Sequence, residues 1–169
     1  MAAPVLATEA ALLPDLAPHL PQPIPVPQFK GLPGDDYPWP FLGYTLLSGT
    51  IAARAGLTEL QRTALAEPRP GPGVGTASCA IVGVIDWGDV HVGDPGTDLA
   101  VVHALLPAAA HDRFLGAYGE VTPRRRAAAR RRATWHSVAL AADGTDIGDA
   151  ALVAEAPGSL RRILGTDMA

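Results

Sequence analysis

The sequence predicts an α+β protein, with a small strand-bearing N-terminal part and a mostly helical C-terminal half. Three observations carry this expectation. FLGYTLL at 41–47 and AIVGVI at 80–85 are short apolar stretches of strand length. From Pro95 onward, apolar positions recur at helical spacing through several segments. Between the halves, residues 67–76 read EPRPGPGVGT, where Pro or Gly recurs at every second position, as in a linker. The expected division is therefore 1–66, a linker at 67–79, and 80–169.

Residues 4–17 place Val5, Leu6, Leu12, Leu13 and Leu16 at helical spacing, with Pro14 and Pro18 expected to end the helix. PHLPQPIPVPQ at 18–28 carries too many prolines for a helix and reads as extended backbone. FKGLPGDD at 29–36 reads as a turn, and 41–47 as a strand. Residues 48–66 suggest a short helix, a break near Gly56 and a second helix. Thr58 is an N-cap candidate there, and Gln61 completes a capping box. AIVGVI reads as a buried strand ending at Asp86. A helical pattern runs from Pro95 to Leu106, and helices are expected at about 107–118, 123–142 and 146–164.

Composition narrows the function classes. The chain has 169 residues, a formal net charge of -4 and a single cysteine, Cys79. A mildly acidic chain has no general pull on nucleic acid or anionic membrane. One cysteine permits no intrachain disulfide, which fits a reducing cytoplasm. The N-terminus lacks the pattern of a signal peptide, and no apolar run reaches membrane-spanning length. The expectation is a soluble cytoplasmic protein without nucleic-acid or membrane partners. The arginines of PRRRAAARRRA, at 123–133, fan around a helix without interleaved aromatics. A solvated face, partly paired with acidic segments, is the expected role.

The chemistry-bearing segment is GVIDWGDVHVGDPGTDLA, at 83–100. A rigid strand that delivers Asp86 into a cleft, with Asp89 three residues on, suits a hard cation such as Mg²⁺. Such an ion takes carboxylate oxygens and keeps phosphate and water as its other ligands. Asp94 and Asp98 bracket a helix start, where negative charge suits the macrodipole. On spacing alone, the alternative is a solvated turn with helix capping. His91 and His103 read with these aspartates would make a separate Asp/His metal site, a weaker reading.

IDWGD followed by GDPGTDLA closely resembles the signature of aminoglycoside phosphotransferases and their macrolide and choline kinase relatives. EAALLPDLAPHLPQPIPVPQFKGLP, YPWPFLGYTLLSGT and FLGAYG are similar to other parts of that family. The resemblance implies a protein-kinase-like fold, with a partial small lobe and a mostly helical large lobe. It implies transfer of a phosphoryl group from ATP or GTP, with Mg²⁺, to a small-molecule hydroxyl. It places Asp86 at the metal, Asp89 in the same loop, and Asp98 as a structural brace. Asp94 stays a structural turn or cap. It matches Glu9 to the helix glutamate that pairs with a nucleotide-binding lysine, and Phe41–Leu47 to the strand beside the adenine.

Two departures limit the implied activity. The only lysine, Lys30, follows Glu9 and falls in the expected turn. Without a lysine partner, Glu9 reads as a solvated helix glutamate. An HGDxxxxN catalytic loop is missing from the stretch between Ala66 and Asp86, which holds EPRPGPGVGTASCA instead. The sequence therefore suggests a truncated, internally deleted family member with little or no turnover. The alternative is a non-catalytic remnant that binds a nucleotide or partner.

Overall fold

A computed structural model describes residues 2–66, 80–88 and 90–165. Cys79, Asp89 and the expected linker lie outside these. The chain divides into two compact units, each assembled from two separated stretches. One comprises Met1–Gly49 with Ile81–Gly93, the other Thr50–Ala80 with Asp94–Ala169. The architecture is mixed and mostly helical, with one two-stranded sheet among the described residues.

The first unit opens with α1, Ala2–Leu16. Pro14 lies inside this helix rather than ending it. Its ring removes the backbone bond to the Ala10 carbonyl, and only Asp15 and Leu16 follow it in the helix. A 3-10 turn at Ala17–His19 follows. Then come β1, Pro27–Gly31, and β2, Phe41–Tyr44, paired antiparallel with Lys30 opposite Leu42. Here the structure corrects the sequence reading twice. The expected turn at 29–36 begins as a strand, so Lys30 sits in the sheet. The expected strand at 41–47 stops at Tyr44. The hairpin end is tied by reciprocal backbone bonds: Gly34 N–H to Tyr37 O at 2.9 Å and Tyr37 N–H to Gly34 O at 3.2 Å. Asp35 and Asp36 form its tip. Among the described residues of this unit, Leu13 and Ile24 are the buried apolar side chains.

AIVGVI is not a buried strand. Residues 80–85 form no regular element and pair with neither strand, and Ile81, Val82, Val84 and Ile85 are exposed. One backbone bond, from Val84 N–H to Pro23 O at 3.0 Å, holds the stretch to its unit. Gly83 passes so close to Leu47 that a Cβ there would fall 2.8 Å from Leu47 Cδ1. An apolar run becomes a strand only when a neighbour supplies the ladder, and none does here.

The second unit begins with a 3-10 turn at Ala52–Arg54 and a break at Gly56, whose φ of 58° suits glycine. Helix α2, Glu59–Leu65, starts at the expected capping box. Gln61 N–H donates to Thr58 Oγ1 at 3.3 Å, and Thr58 N–H to Gln61 Oε1 at 2.9 Å. The pattern read as helix from Pro95 is a run of turns as far as Leu99. Helix α3 covers only Ala100–Leu105. Then follow α4, Ala108–Tyr118; α5, Pro123–Asp146; and α6, Ala150–Leu164. These three agree with the sequence reading to within four residues at each end. Thr122 caps α5, with Pro123 in its first turn, and Asp149 caps α6 through the N–H groups of Ala151 and Leu152.

Leu99, Val102, Leu106, Ala110, Leu115, Val121 and Ala129 make the core of this unit. Each fully buried aliphatic side chain contributes about 1.5–3 kcal/mol relative to exposure. Helix α5 lays Ala129, Ala133, Ser137 and Gly144 against its neighbours. These small residues let α3 and α6 approach closely. His103 of α3 and His111 of α4 meet edge to face, with ring centroids 5.0 Å apart. Half-burial holds His103 down to about 4, with help from the charges of His111, Arg130 and Arg126. Its imidazole is therefore neutral at ordinary pH.

Candidate functional site

The residues singled out from the sequence fall into both units. Glu9 and Asp86 belong to the first; Asp94 and Asp98 belong to the second.

Glu9 lies one turn along α1 from Val5 and is only 7% exposed. The solvated reading of this glutamate is therefore corrected. A buried carboxylate demands a donor, and Tyr44 of β2 supplies one. Its hydroxyl donates to Glu9 Oε1 at 2.6 Å. The bond ties the helix to the sheet where a lysine was anticipated. Burial pushes the Tyr44 phenol up to about 12, and the hydrogen bond and charge of Glu9 add to the shift. Nothing in the sequence marks this partner, because Tyr44 is 35 positions away in a stretch read only as a strand.

Tyr44→Phe leaves the Glu9 carboxylate buried without its phenol donor. The expected loss is about 1–3 kcal/mol at neutral pH. The alkaline limb carries a second signature. A phenol whose folded pKa lies above its ordinary value of 10 contributes stability that is full below pH 10. That stability is lost as pH rises through about 12. Denaturant unfolding of both proteins between pH 7 and 12 checks this. Tyr44→Phe should be less stable at pH 7 and lack this alkaline loss. Matching curves would remove the assigned role.

Asp86 is exposed and has a φ of 67°, the one non-glycine residue with positive φ among those described. Aspartate tolerates this left-handed conformation better than most residues. The chain turns sharply behind it. Trp87 Nε1–H donates back to Val84 O at 2.9 Å, and Val90 N–H donates to Trp87 O at 3.0 Å. Gly88 runs beside α1, since a Cβ there would sit 3.8 Å from Val5 Cγ1. The Asp86 loop and the Glu9 helix are thus neighbours within one unit. Asp86 makes no side-chain hydrogen bond among the described residues. Its carboxylate is available to a cation whose remaining ligands are phosphate and water. Among the described residues, no three His, Cys, Asp or Glu side chains gather in metal-binding geometry.

Asp94 closes a turn. Its Oδ1 accepts from Gly96 N–H at 2.9 Å and lies 3.3 Å from Arg125 Nε. The Gly96 bond, and secondarily the arginine, hold its carboxyl below the usual range. Asp98 is exposed in the turns before α3, where its carbonyl accepts from Val101 N–H at 3.3 Å.

The second unit also contains an ionic cluster that no motif announces. Arg62 of α2 and Arg162 of α6 are 3% and 6% exposed. Both converge on Glu155 of α6, at 2.9 Å and 2.5 Å. Arg162 Nε–H also donates to Ala104 O at 2.9 Å. Arg54 pairs with the cap residue Asp149, whose carboxyl is lowered chiefly by that contact.

Residues 77–140 match the model of the phosphotransferase enzyme family. That is less than half of the chain, but it includes the whole IDWGD…GDPGTDLA segment. The family recognised in the sequence is therefore the family found over these residues. No curated protein and no solved structure gives a significant match. No described helix is long and apolar enough to cross a membrane.

Proposed function

We propose that this phosphotransferase-family chain binds a Mg²⁺–nucleoside triphosphate through Asp86 and transfers its phosphoryl group to a small-molecule hydroxyl slowly or not at all. The observation that carries the reading is Asp86 itself. It lies within the matched segment, exposed at a sharp turn, with its carboxylate unbonded among the described residues. One carboxylate together with triphosphate oxygens and waters is a normal environment for Mg²⁺. The family resemblance supports ATP or GTP as the nucleotide and a small-molecule hydroxyl as the acceptor.

The slow or absent turnover follows from what phosphoryl transfer requires. Its catalysis is almost entirely positioning and charge neutralisation. The stretch from Ala66 to Asp86 contains no HGDxxxxN motif to supply a base and a second metal ligand. Glu9, the expected partner of a nucleotide lysine, is bonded to Tyr44 instead. A binding module that retains the metal aspartate is the form of the reading these residues favour.

Thermal unfolding with and without Mg²⁺ and ATP or GTP tests it. The expected result is an upward shift that requires both metal and nucleotide and disappears in Asp86→Ala. At nucleotide concentrations near 100 times Kd the stabilisation should approach about 2.7 kcal/mol. A melting temperature indifferent to nucleotide would reject binding. Rapid phosphorylation of an aminoglycoside or macrolide would reject the slow-turnover half.

A further inference from the structure

We infer that the chain self-associates head to tail, with the acidic tip of the β1–β2 hairpin of one copy docking on the arginine–tryptophan ridge of α5 of another.

The tip is a built element. Reciprocal backbone bonds between Gly34 and Tyr37 fix the two-residue turn, so Asp35 and Asp36 project side by side. Both are exposed and make no ion pair or hydrogen bond among the described residues. Two adjacent carboxylates repel each other, and a cationic surface relieves that repulsion. Tyr37 and Trp39 flank them, each more than half exposed, and Tyr37 is braced edge to face on Phe41 at 5.9 Å. A preorganised tip of this kind loses little entropy on docking.

The ridge is complementary. On α5, the face opposite Ala129, Ala133 and Ser137 carries Arg124, Arg131, Trp135 and Val138 in line. From Arg124 to Val138 it runs about 21 Å along the helix. Trp135 is 73% exposed and Val138 is 54% exposed. Arg124 and Arg131 make no ion pair or hydrogen bond among the described residues, and Arg132 adds positive charge beside them. Helix stability does not account for this arrangement, since arginines at 124–126 sit at the positive end of the helix dipole. Arginine, tryptophan and tyrosine are the side chains that dominate protein–protein hot spots. The ridge presents the first two, and the tip presents the aromatics and the opposite charge.

A second copy is favoured over a nucleic acid or an anionic membrane for two reasons. The chain is acidic overall, so long-range attraction to a polyanion is absent. The ridge has one aromatic, where single-stranded nucleic acid needs a series for successive bases. Each copy offers one tip and one ridge, so the contact is heterologous and builds a ring or an open chain.

Sedimentation velocity over about 10–300 µM tests this, a range suited to a contact below the standard interface size. The parent protein should sediment faster with concentration at low salt, and the effect should fade at about 1 M salt, where charges are screened. The charge-reversed variants D35K/D36K and R131E/R132E should each sediment as monomers at every concentration. An equimolar mixture of the two should associate again, because each tip then meets a ridge of opposite charge. Circular dichroism of each variant checks that these exposed substitutions leave the fold intact. A monomeric parent, association that survives either reversal, or a mixture that stays monomeric would overturn the proposal. So would a monomeric parent that binds anionic vesicles or single-stranded RNA through Arg131 and Arg132.

Discussion

Glu155→Ala is expected to destabilise the protein by about 3–5 kcal/mol, the cost of leaving buried charge uncompensated. Two guanidinium groups converge on this carboxylate, both almost fully buried. With Glu155 gone they face each other in a poorly solvated space. Arg62 retains only long bonds to the carbonyls of Leu57 and Leu105, at 3.3 and 3.4 Å. Glu59 stands 3.5 Å from Arg162 and 3.8 Å from Arg62, but it is too exposed to replace the lost charge. The melting temperature should fall by on the order of 10 °C for a chain of this size. Two companions separate charge from packing. Glu59→Ala should cost less than about 1 kcal/mol. Replacing Arg62, Glu155 and Arg162 together by Met, Leu and Met should recover most of the stability, because no charge is then buried. Thermal or urea unfolding reads all three. A single Glu155→Ala variant as stable as the parent would remove the cluster from any structural account.

Two of the helical glycines, Gly144 and Gly116, should respond to alanine in opposite directions. In helical conformation, alanine is ordinarily better than glycine by about 1 kcal/mol. Gly116, in α4, has nothing within 4 Å of an added Cβ, so Gly116→Ala should gain most of that amount. Gly144 sits where α5 turns back into α6. A Cβ there would lie 2.9 Å from Leu152 Cβ, 3.2 Å from Val153 Cγ2 and 3.3 Å from Asp149 O. None of these is the tip of a long flexible chain, so a helix must move. Asp149 N–H also donates to Gly144 O at 2.7 Å, which leaves little room for adjustment. Gly144→Ala is expected to lose about 1–3 kcal/mol, and Gly144→Val more. Urea titration midpoints of both alanine variants check the sign. A stabilised Gly144→Ala would contradict the close approach of α5 and α6.

The parts of the fold readable from sequence are those set by local chemistry. Thr58 with Gln61 announced α2, and apolar spacing placed the start of α5 at residue 123. Each of these signals acts within a few residues of its own position. AIVGVI failed for the opposite reason. Apolarity records a tendency to be buried, whereas a strand requires a partner's backbone, which a local pattern does not report. PQFKG is the converse case, a strand with turn-like composition, formed because β2 lies alongside it. The candidate site divides in the same way. Asp86, Asp94 and Asp98 stood out because a contiguous motif carries them. Glu9 was singled out for a lysine that the sequence does not provide, while its actual partner, Tyr44, is tertiary. The Glu155 cluster joins residues 93 positions apart, beyond the reach of spacing.

The interleaved composition of the two units affects how the chain is made. The first unit needs both Met1–Gly49 and Ile81–Gly93, and the second contributes Thr50–Ala80 between them. Elongation proceeds at about 5–20 residues per second, so the ribosome takes a few seconds to travel from residue 49 to residue 93. During that interval the nascent α1 and hairpin have no Val84 to bond Pro23 and no Gly88 to lie beside Val5. The order of emergence therefore differs from the order of completion, and Met1–Gly49 is synthesised before the piece that closes its unit. Translation speed across residues 50–93, rather than the final contacts alone, sets how long that exposed intermediate is open to chaperones and proteases.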